Sequence, residues 1–109
     1  MLAKKYRLSW ETRIDNRLFF SRSEFNLRIG QNGLSFNRAG VIVSKKIDKR
    51  AVVRNKIRRL IYVAVQELSE KTRKGLDFRF IIKKGAIGKS RKDFYNIIEN
   101  LLKKEGFLD

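Results

Sequence analysis

Residues 45–59 concentrate the side chains of this sequence that are best suited to one kind of chemistry, the binding of phosphate. Eight Lys or Arg and a single Asp, a net charge of +7, lie within the segment KKIDKRAVVRNKIRR. Arginine presents a planar fork of N–H donors that matches two phosphate oxygens at once, and lysine adds a compact charge. The amide of Asn55 can bond a base edge or a sugar hydroxyl as well as a phosphate. The segment therefore predicts a surface that binds a polyanion.

The rest of the composition excludes several catalytic chemistries. The 109 residues contain no histidine and no cysteine. The commonest general base, the imidazole of a nucleophilic triad and a thiolate metal ligand are therefore missing. The 11 Asp and Glu residues are scattered along the chain. We predict no catalytic residue, no metal site and no cofactor held by side chains of this chain.

The charge of the whole chain also favours a polyanionic partner. Lys and Arg number 27 against 11 Asp and Glu, a formal net charge of +16. Repulsion of this size opposes compaction, and a bound polyanion would relieve it. We expect nucleic acid as that partner ahead of an anionic membrane. No apolar stretch approaches the roughly 20 residues that span a bilayer. The basic N-terminus is not followed by the apolar run of a secretory signal. We expect one cytoplasmic domain, residues 1–109, with no membrane partner.

The basic segment continues into a predicted helix, residues 51–68, which sorts its side chains into two faces. At about 100° per residue the apolar positions gather on one side. These positions are Val53, Ile57, Leu60, Ile61, Ala64 and Leu68. The opposite side carries Asn55, Arg58, Arg59 and Tyr62, with Arg54 near the border. This side offers almost no acidic partner at i,i+4 spacing, so salt bridges within the helix do not explain its charge. We expect it to bind nucleic acid, with Tyr62 stacked on an unpaired base.

Two further helices are predicted from capping residues. The first is capped by Ser9 and begins at Trp10, with Ile14 and Leu18 on its buried side. The second follows Ser90, which forms a capping box with Asp93 ahead of an apolar stripe at helical spacing. Each of these helices is expected to pack on the core and to carry no site.

Strands are predicted where apolar residues alternate or where β-branched residues cluster. They cover residues 24–30, 34–37, 39–44 and 76–83, and Asn32-Gly33 forms the hairpin turn between the first two. The element order is α-β-β-β-α-β-α. It predicts an α+β domain in which a small mixed sheet of about four strands packs with three helices.

The segment VSKK at residues 43–46, with KRAVVRNKIRRL at residues 49–60, resembles the RNR motif of the bacterial ribonuclease P protein component. The shared features are a β-run ending in Ser-Lys-Lys, a small residue, a spacer, Arg-Asn and then paired basic residues one turn later. The order of elements and the length also agree along nearly the whole chain. The resemblance implies a left-handed βαβ crossover, against the usual right-handed rule.

The resemblance also implies a function. A protein of this family is the accessory subunit of an endoribonuclease, ribonuclease P, in which a catalytic RNA performs the hydrolysis and requires Mg²⁺. The protein binds that RNA and the 5′ leader of precursor tRNA, as a monomer in a 1:1 complex. The matching RNA-binding positions are Lys45, Lys46, Lys49, Arg50, Arg54, Asn55, Arg58 and Arg59. The candidates that would line the leader cleft, between the motif helix and the sheet, are Phe20, Phe25, Phe36 and Tyr62.

Two departures from the family pattern and three alternative functions accompany this hypothesis. The family often continues the motif helix with Arg and Glu where this chain has residues 62–66, YVAVQ, and the N-terminal segment lacks a clear acidic-Phe pair. The first alternative is a ribosomal-type structural RNA-binding protein, which the charge and size fit equally well. A protein-only, metal-dependent nuclease and a DNA-binding helix module are the other two.

Overall fold

Four strands and two α-helices make up the fold of this computed structural model, which describes residues 4–9, 14 and 18–109. The strands are β1 (Leu18–Ser21), β2 (Phe25–Gln31), β3 (Arg38–Ile42) and β4 (Leu76–Ile82). The helices are α1 (Ala51–Leu68) and α2 (Arg91–Lys104), and two single 3₁₀ turns cover Lys4–Tyr6 and Lys84–Ala86. No helix in the described ranges is both long enough and apolar enough to cross a membrane.

Helix α1 forms because its apolar residues recur every three or four positions and cover one side. Ile57, Ile61, Ala64 and Leu68 are buried, and Val53 and Leu60 are partly buried against the same core. The predicted helix over residues 51–68 is confirmed, with the same bounds. Most of its stability comes from this packing, since Val and Ile are only moderate helix formers.

Helix α2 begins at the predicted capping box. The Asp93 backbone N–H donates to the Ser90 hydroxyl at 3.1 Å, and the Ser90 backbone N–H donates to the Asp93 carboxylate at 2.9 Å. Both bonds satisfy N–H groups that the first turn of a helix leaves without a partner in the helix. The Arg91 guanidinium then donates to both carboxylate oxygens of Glu67 at 2.7 Å, which joins the start of α2 to α1.

The sheet is mixed, with the order β1-β2-β4-β3. The pairs β1–β2 and β2–β4 are antiparallel, and β3–β4 is parallel. Strands β3 and β4 are therefore the two strands of a βαβ unit with α1 as its crossover. The predicted strands over residues 24–30, 39–44 and 76–83 are confirmed to within one or two residues at each end. The left-handedness of the crossover stays a prediction.

The predicted strand over residues 34–37 is wrong, because these residues belong to a loop. Strand β2 pairs with β1 along one edge and with β4 along the other, so no edge is left for a hairpin partner. Asn32 organises the loop instead. Its side chain accepts from the Leu34 backbone N–H at 2.7 Å and donates to the Phe36 carbonyl at 3.2 Å and to the Asp77 carboxylate at 2.9 Å.

The predicted N-terminal helix falls mainly on residues 10–13 and 15–17, which lie outside the described residues. Its last predicted residue, Leu18, is the first residue of β1 and is 39% exposed, so the prediction that it packs on the buried side of a helix is wrong. The segment LFFS contains two aromatic residues, which favour strands. In the turn between β1 and β2 the Arg22 backbone N–H donates to the Phe25 carbonyl oxygen at 2.8 Å. Two of the three expected helices are thus present in the part of the chain that the structure describes.

The two faces of the sheet differ in what covers them. One face, with Leu27 and Phe80 at its centre, forms a single hydrophobic core with α1 and α2. Alternation places the intervening residues on the opposite face, which we call the helix-free face because neither α1 nor α2 packs on it. Register partners on this face form two central rows that cross the sheet in the order β1, β2, β4, β3. The first row is Phe19, Arg28, Arg79 and Gly40, and the second is Ser21, Asn26, Ile81 and Ile42. Leu8 covers one end of this face, because a Cβ on Gly40 would lie 2.9 Å from the Leu8 carbonyl oxygen.

Candidate nucleic-acid interface

The motif residues lie together, on the loop after β3 and on the first turns of α1. Lys45 and Lys46 are exposed in the turn that follows the strand, and Lys49 and Arg50 are exposed just before the helix. On the helix itself Asn55 and Arg59 are exposed, whereas Arg54 and Arg58 are half-buried. We call this set of eight residues the cationic surface.

Two arginines of the cationic surface hold the loop in place. Nη1 of Arg54 donates to the carbonyl oxygens of Asp48 at 2.9 Å and Lys49 at 2.8 Å. The Arg50 guanidinium donates to both oxygens of Asp48, at 3.1 and 2.9 Å, and its backbone N–H donates to the same carboxylate at 2.9 Å. These bonds lower the pKa of Asp48 to about 2. Arg50 and Arg54 therefore fix the backbone that presents Lys45 and Lys46.

The outward side of α1 carries two residues that the sequence analysis did not single out. Lys56 is exposed, and Val52 is 74% exposed although it is apolar. With Asn55 and Arg59 they follow the spacing i, i+3, i+4, i+7, which places all four on one helix face. That spacing was the signal in the sequence. Arg58 lies beside them and donates to the Asn55 amide oxygen at 2.6 Å, which leaves the amide nitrogen as the donor group of the exposed Asn55 side chain.

Tyr62 was predicted on the exposed side of α1, and this prediction is wrong. The side chain is only 7% exposed and belongs to the hydrophobic core. Burial raises the pKa of the Tyr62 phenol, against the opposing effects of a hydrogen bond with the Val41 backbone and of the charges on Arg7 and Arg58. The tyrosine thus packs between α1 and β3, and its ring offers no face on which a base could stack.

Two of the candidate cleft aromatics lie on the helix-covered side of the sheet. Phe25 is 0% exposed and packs edge-to-face on Phe80 with ring centroids 5.1 Å apart, so a leader could not touch it without opening the core. Phe20 is half-buried against the same core, with its ring centroid 6.4 Å from that of Phe107. Neither ring faces the helix-free side.

Phe36 lies in the loop before β3 and lines a cavity of about 520 Å³. Its ring contacts that of Tyr6 edge-to-face at 5.4 Å, and the Lys5 ammonium lies 5.5 Å from its centroid. The cavity continues under the last turns of α1 to Leu68 and Phe78. Phe36 therefore lies beside the far end of α1, away from the cationic surface.

The helix-free face carries an aromatic and cationic set that sequence reasoning only partly found. Phe19 is 48% exposed, Ile42 is 37% exposed, and Arg28 and Arg79 are half-buried between them. The alternation of β2 already placed Arg28 opposite the core. Phe19 was missed because no strand was predicted before residue 24 and Leu18 was placed on a helix, so the pairing of Phe19 with Arg28 could not be predicted.

The described part of the chain was also searched for clusters of metal-binding side chains. Within the described ranges, no three or more His, Cys, Asp or Glu residues come close enough to hold a metal ion. Asp77 is a buried carboxylate, 3% exposed, and it accepts two bonds from Arg38, at 2.8 and 2.7 Å, so it stabilises the loop and the sheet.

Comparisons with known proteins agree on one family. Residues 2–106 match the family described as Ribonuclease P. The chain is 42% identical over 89 residues to the ribonuclease P protein component of Clostridium kluyveri, covering 80% of this chain and 79% of that one. It is 34% identical over 79 residues to the same component of Alkaliphilus oremlandii, covering 72% and 68%. The solved structure of Staphylococcus aureus RNase P protein superposes with a TM-score of 0.81 at 25% identity, covering 97% of this chain and all (100%) of that one.

Proposed function

Because this chain belongs to the ribonuclease P protein family, we propose that it is the protein subunit of a ribonuclease P that matures the 5′ ends of tRNAs. In this proposal the cationic surface binds the catalytic RNA, and the helix-free face binds the single-stranded 5′ leader of precursor tRNA. The observation that carries the proposal is the cationic surface: an ordered loop and one helix face aim lysine, arginine and an amide at solvent together.

The physical role of the cationic surface is charge neutralisation with fixed geometry. Arg50 and Arg54 hold the loop through bonds to Asp48 and to loop carbonyls, so the neighbouring lysines are presented in one arrangement. A preordered set of cations loses less conformational entropy when it meets phosphate than a flexible one does. The outward donors of Asn55 and Arg59 then add hydrogen bonds to phosphate or sugar oxygens.

The side chains that are present support a division of labour between the protein and the RNA. The sequence has no histidine or cysteine, and the described residues supply charge, hydrogen bonds and aromatic surface. We assign the hydrolysis to the RNA and its Mg²⁺ ions, and to the protein the placing of the leader. By neutralising phosphates where the two RNAs approach each other, the protein lowers the Mg²⁺ concentration that the RNA needs.

The helix-free face has the composition that single-stranded nucleic acid needs. An exposed aromatic ring, Phe19, offers a stacking surface for a base, and Ile42 extends the apolar area. Arg28 and Arg79 lie between them and supply charge for the backbone. These residues replace the buried Phe25 and Tyr62 as the leader-binding candidates in our proposal.

Reconstitution tests the proposal. Purified protein is added to the catalytic RNA of a clostridial ribonuclease P at a low Mg²⁺ concentration, with a 5′-labelled precursor tRNA as substrate. We expect accurate release of the leader at a Mg²⁺ concentration at which the RNA alone is slow. A variant with Lys45, Lys46, Lys49 and Arg59 all changed to Ala serves as the matched control and should not stimulate.

Two outcomes would count against the proposal. The first is an unchanged cleavage rate at every Mg²⁺ concentration tested, in the presence of folded protein. The second is cleavage by the protein and Mg²⁺ without the RNA, which would favour a protein-only nuclease. Native mass spectrometry of the assembled complex tests the further expectation of one protein for each RNA.

A further inference from the structure

The second row of the helix-free face carries a network of hydrogen bonds around Lys83. Ser21 and Asn26 are register partners in β1 and β2, and Lys83 directly follows β4. The Lys83 ammonium donates to three oxygens: the Arg22 carbonyl at 2.7 Å, the Ser21 hydroxyl at 3.1 Å and the Asn26 amide oxygen at 3.4 Å. An ammonium has three N–H groups and accepts no hydrogen bond. All three donors of Lys83 are therefore used within the protein.

This network determines which way round the Asn26 amide lies. The Ser21 hydroxyl donates to the Asn26 amide oxygen at 2.8 Å, so this oxygen accepts from two donors. The amide nitrogen could not take the place of the oxygen beside Lys83, because an ammonium and an amide N–H group both donate only. With both lone pairs of its oxygen occupied, the half-buried Asn26 side chain can offer a ligand only its N–H groups.

The neighbours of Asn26 on this face suit a planar ring. Ile81 is its register partner in β4 and is half-buried, and Ile42, next along the row, is 37% exposed. Phe19 is 48% exposed and is the diagonal neighbour of Asn26 in the β1–β2 pair. Diagonal neighbours lie roughly 7–8 Å apart, within reach of an aromatic group. A base that stacks on the Phe19 ring can therefore present one edge to the Asn26 amide.

We propose that Asn26 reads one base of the leader as a hydrogen-bond donor, while that base stacks on Phe19. This inference rests on the proposed function and adds a rule of base selection to it. Uracil and guanine carry a carbonyl group that accepts from the amide nitrogen. Cytosine and adenine carry an amino group at the corresponding position, which would place two donors opposite each other. The site therefore favours keto bases over amino bases.

Base substitution in the leader tests this rule. Precursor tRNAs changed at one leader position at a time are bound to the complex of the protein with its catalytic RNA. Uridine is compared with cytidine, and inosine with adenosine, because each pair exchanges a carbonyl group for an amino group. We expect one position at which the keto base binds about five- to tenfold more tightly in both comparisons, as for one hydrogen bond gained or lost.

Asn26→Asp is the sharpest variant, since it keeps the shape of the side chain and replaces the donor by an acceptor. At the sensitive position the preference should reverse, so that cytidine and adenosine bind more tightly than uridine and inosine. The added negative charge weakens all substrates alike and cancels in the ratio of affinities. Asn100→Asp adds the same charge at an exposed position of α2 and should leave the preference unchanged.

Ser21 and Lys83 are positioning residues in this inference, because they act on the base only through Asn26. Ser21→Ala and Lys83→Met each remove one donor to the Asn26 amide oxygen. The amide can then also accept, so the ratio of affinities for keto and amino bases should fall towards one. A residue that only stabilised the fold would lower affinity without changing this ratio. Thermal unfolding is measured for each variant, and Asn26→Ala, which should abolish the preference, replaces any variant that is unfolded.

The outcomes distinguish the inference from the proposed function. If the wild-type complex binds and cleaves the precursor but no leader position separates keto from amino bases by more than about twofold, base reading by Asn26 is wrong and the proposed function stands. A preference that persists in Asn26→Asp or Asn26→Ala would also overturn it, because another group would then read the base. A wild-type preference for amino bases would contradict the orientation of the amide. A protein that does not stimulate the RNA at all refutes the proposed function itself.

Discussion

At the scale of single residues, the basic motif divides into side chains that hold the loop and side chains that face solvent. Arg50 and Arg54 bond to Asp48 and to backbone carbonyls, whereas Lys45, Lys46 and Arg59 are exposed. Variants of the first group should disturb the local structure as well as RNA binding. Variants of the second group should change binding alone, because their removal leaves no buried group unsatisfied.

Arg59→Ala tests the second group. We expect it to weaken binding to the catalytic RNA by ~1–3 kcal/mol, as for the loss of a side chain that contacts nucleic acid, without lowering the melting temperature. Filter binding and thermal unfolding measure the two quantities. Lys104→Ala, which removes the same charge from the end of α2, is the matched control. Equal effects of the two variants would mean that only net charge matters and that Arg59 makes no specific contact.

The titration of Asp48 tests the first group. Its pKa is lowered from 3.8 to about 2 by the bonds from Arg50, so its contribution to the ordered loop is fully present above pH 3.8 and is lost as the pH falls through about 2. An NMR titration of the carboxyl carbon should place its midpoint well below that of an ordinary aspartate. In Arg50→Gln the midpoint should return towards 3.8. An ordinary midpoint in the wild type would contradict the ion pair in solution.

At the scale of elements, the interface depends on close contacts between segments that are distant in sequence. The turn after β4 packs directly on the β1–β2 turn: a Cβ on Gly85 would lie 2.3 Å from the Ser23 carbonyl oxygen. Lys83 strengthens the same junction, since its ammonium donates to the Arg22 carbonyl at 2.7 Å. This junction holds β1, and therefore Phe19, at the edge of the helix-free face.

Gly85→Ala should strain this junction. The added methyl group requires the β1–β2 turn to move, and overpacking of this kind costs about 1–3 kcal/mol in the free energy of unfolding. Chemical denaturation measures that loss. Lys84→Ala changes the neighbouring exposed residue and should stay within about 0.5 kcal/mol of the wild type. A fully stable Gly85→Ala protein would show that the two turns are not in close contact.

At the scale of the whole molecule, charge is the dominant property. A net charge of +16 on 109 residues destabilises the folded protein by self-repulsion when it is alone. The same charge favours the binding of RNA, whose phosphates neutralise it. Most of that RNA affinity should come from the release of counterions from phosphate, and it is therefore sensitive to salt.

Salt dependence measures how many cations take part. If six to eight side chains neutralise phosphates, affinity for the catalytic RNA should fall by about 10³–10⁵ between roughly 50 and 200 mM salt. Replacing Lys45 and Lys46 together with Ala should reduce the slope of log affinity against log salt by about two, roughly one for each contact. An unchanged slope in this double variant would place those lysines outside the interface, and a flat wild-type profile would refute phosphate binding as the main source of affinity.

The sequence by itself determined the local elements and the main chemical character of this protein. The bounds of α1, the capping box of α2 and three of the strands were all predictable, because helix periodicity, caps and strand alternation depend on residues a few positions apart. The basic motif was recognisable for the same reason, since its residues are contiguous and most of them lie on a single helix.

Only the tertiary structure decided which residues face one another across the sheet. The pairing of β2 with β1 and β4 excluded a strand at residues 34–37, and it placed Phe19, Arg28 and Arg79 in one row. Tyr62 is buried because β3 packs beside α1, although its angle on an isolated helix would expose it. These features join residues far apart in the chain, and no local pattern records which segment will cover a given side chain or pair with a given strand edge.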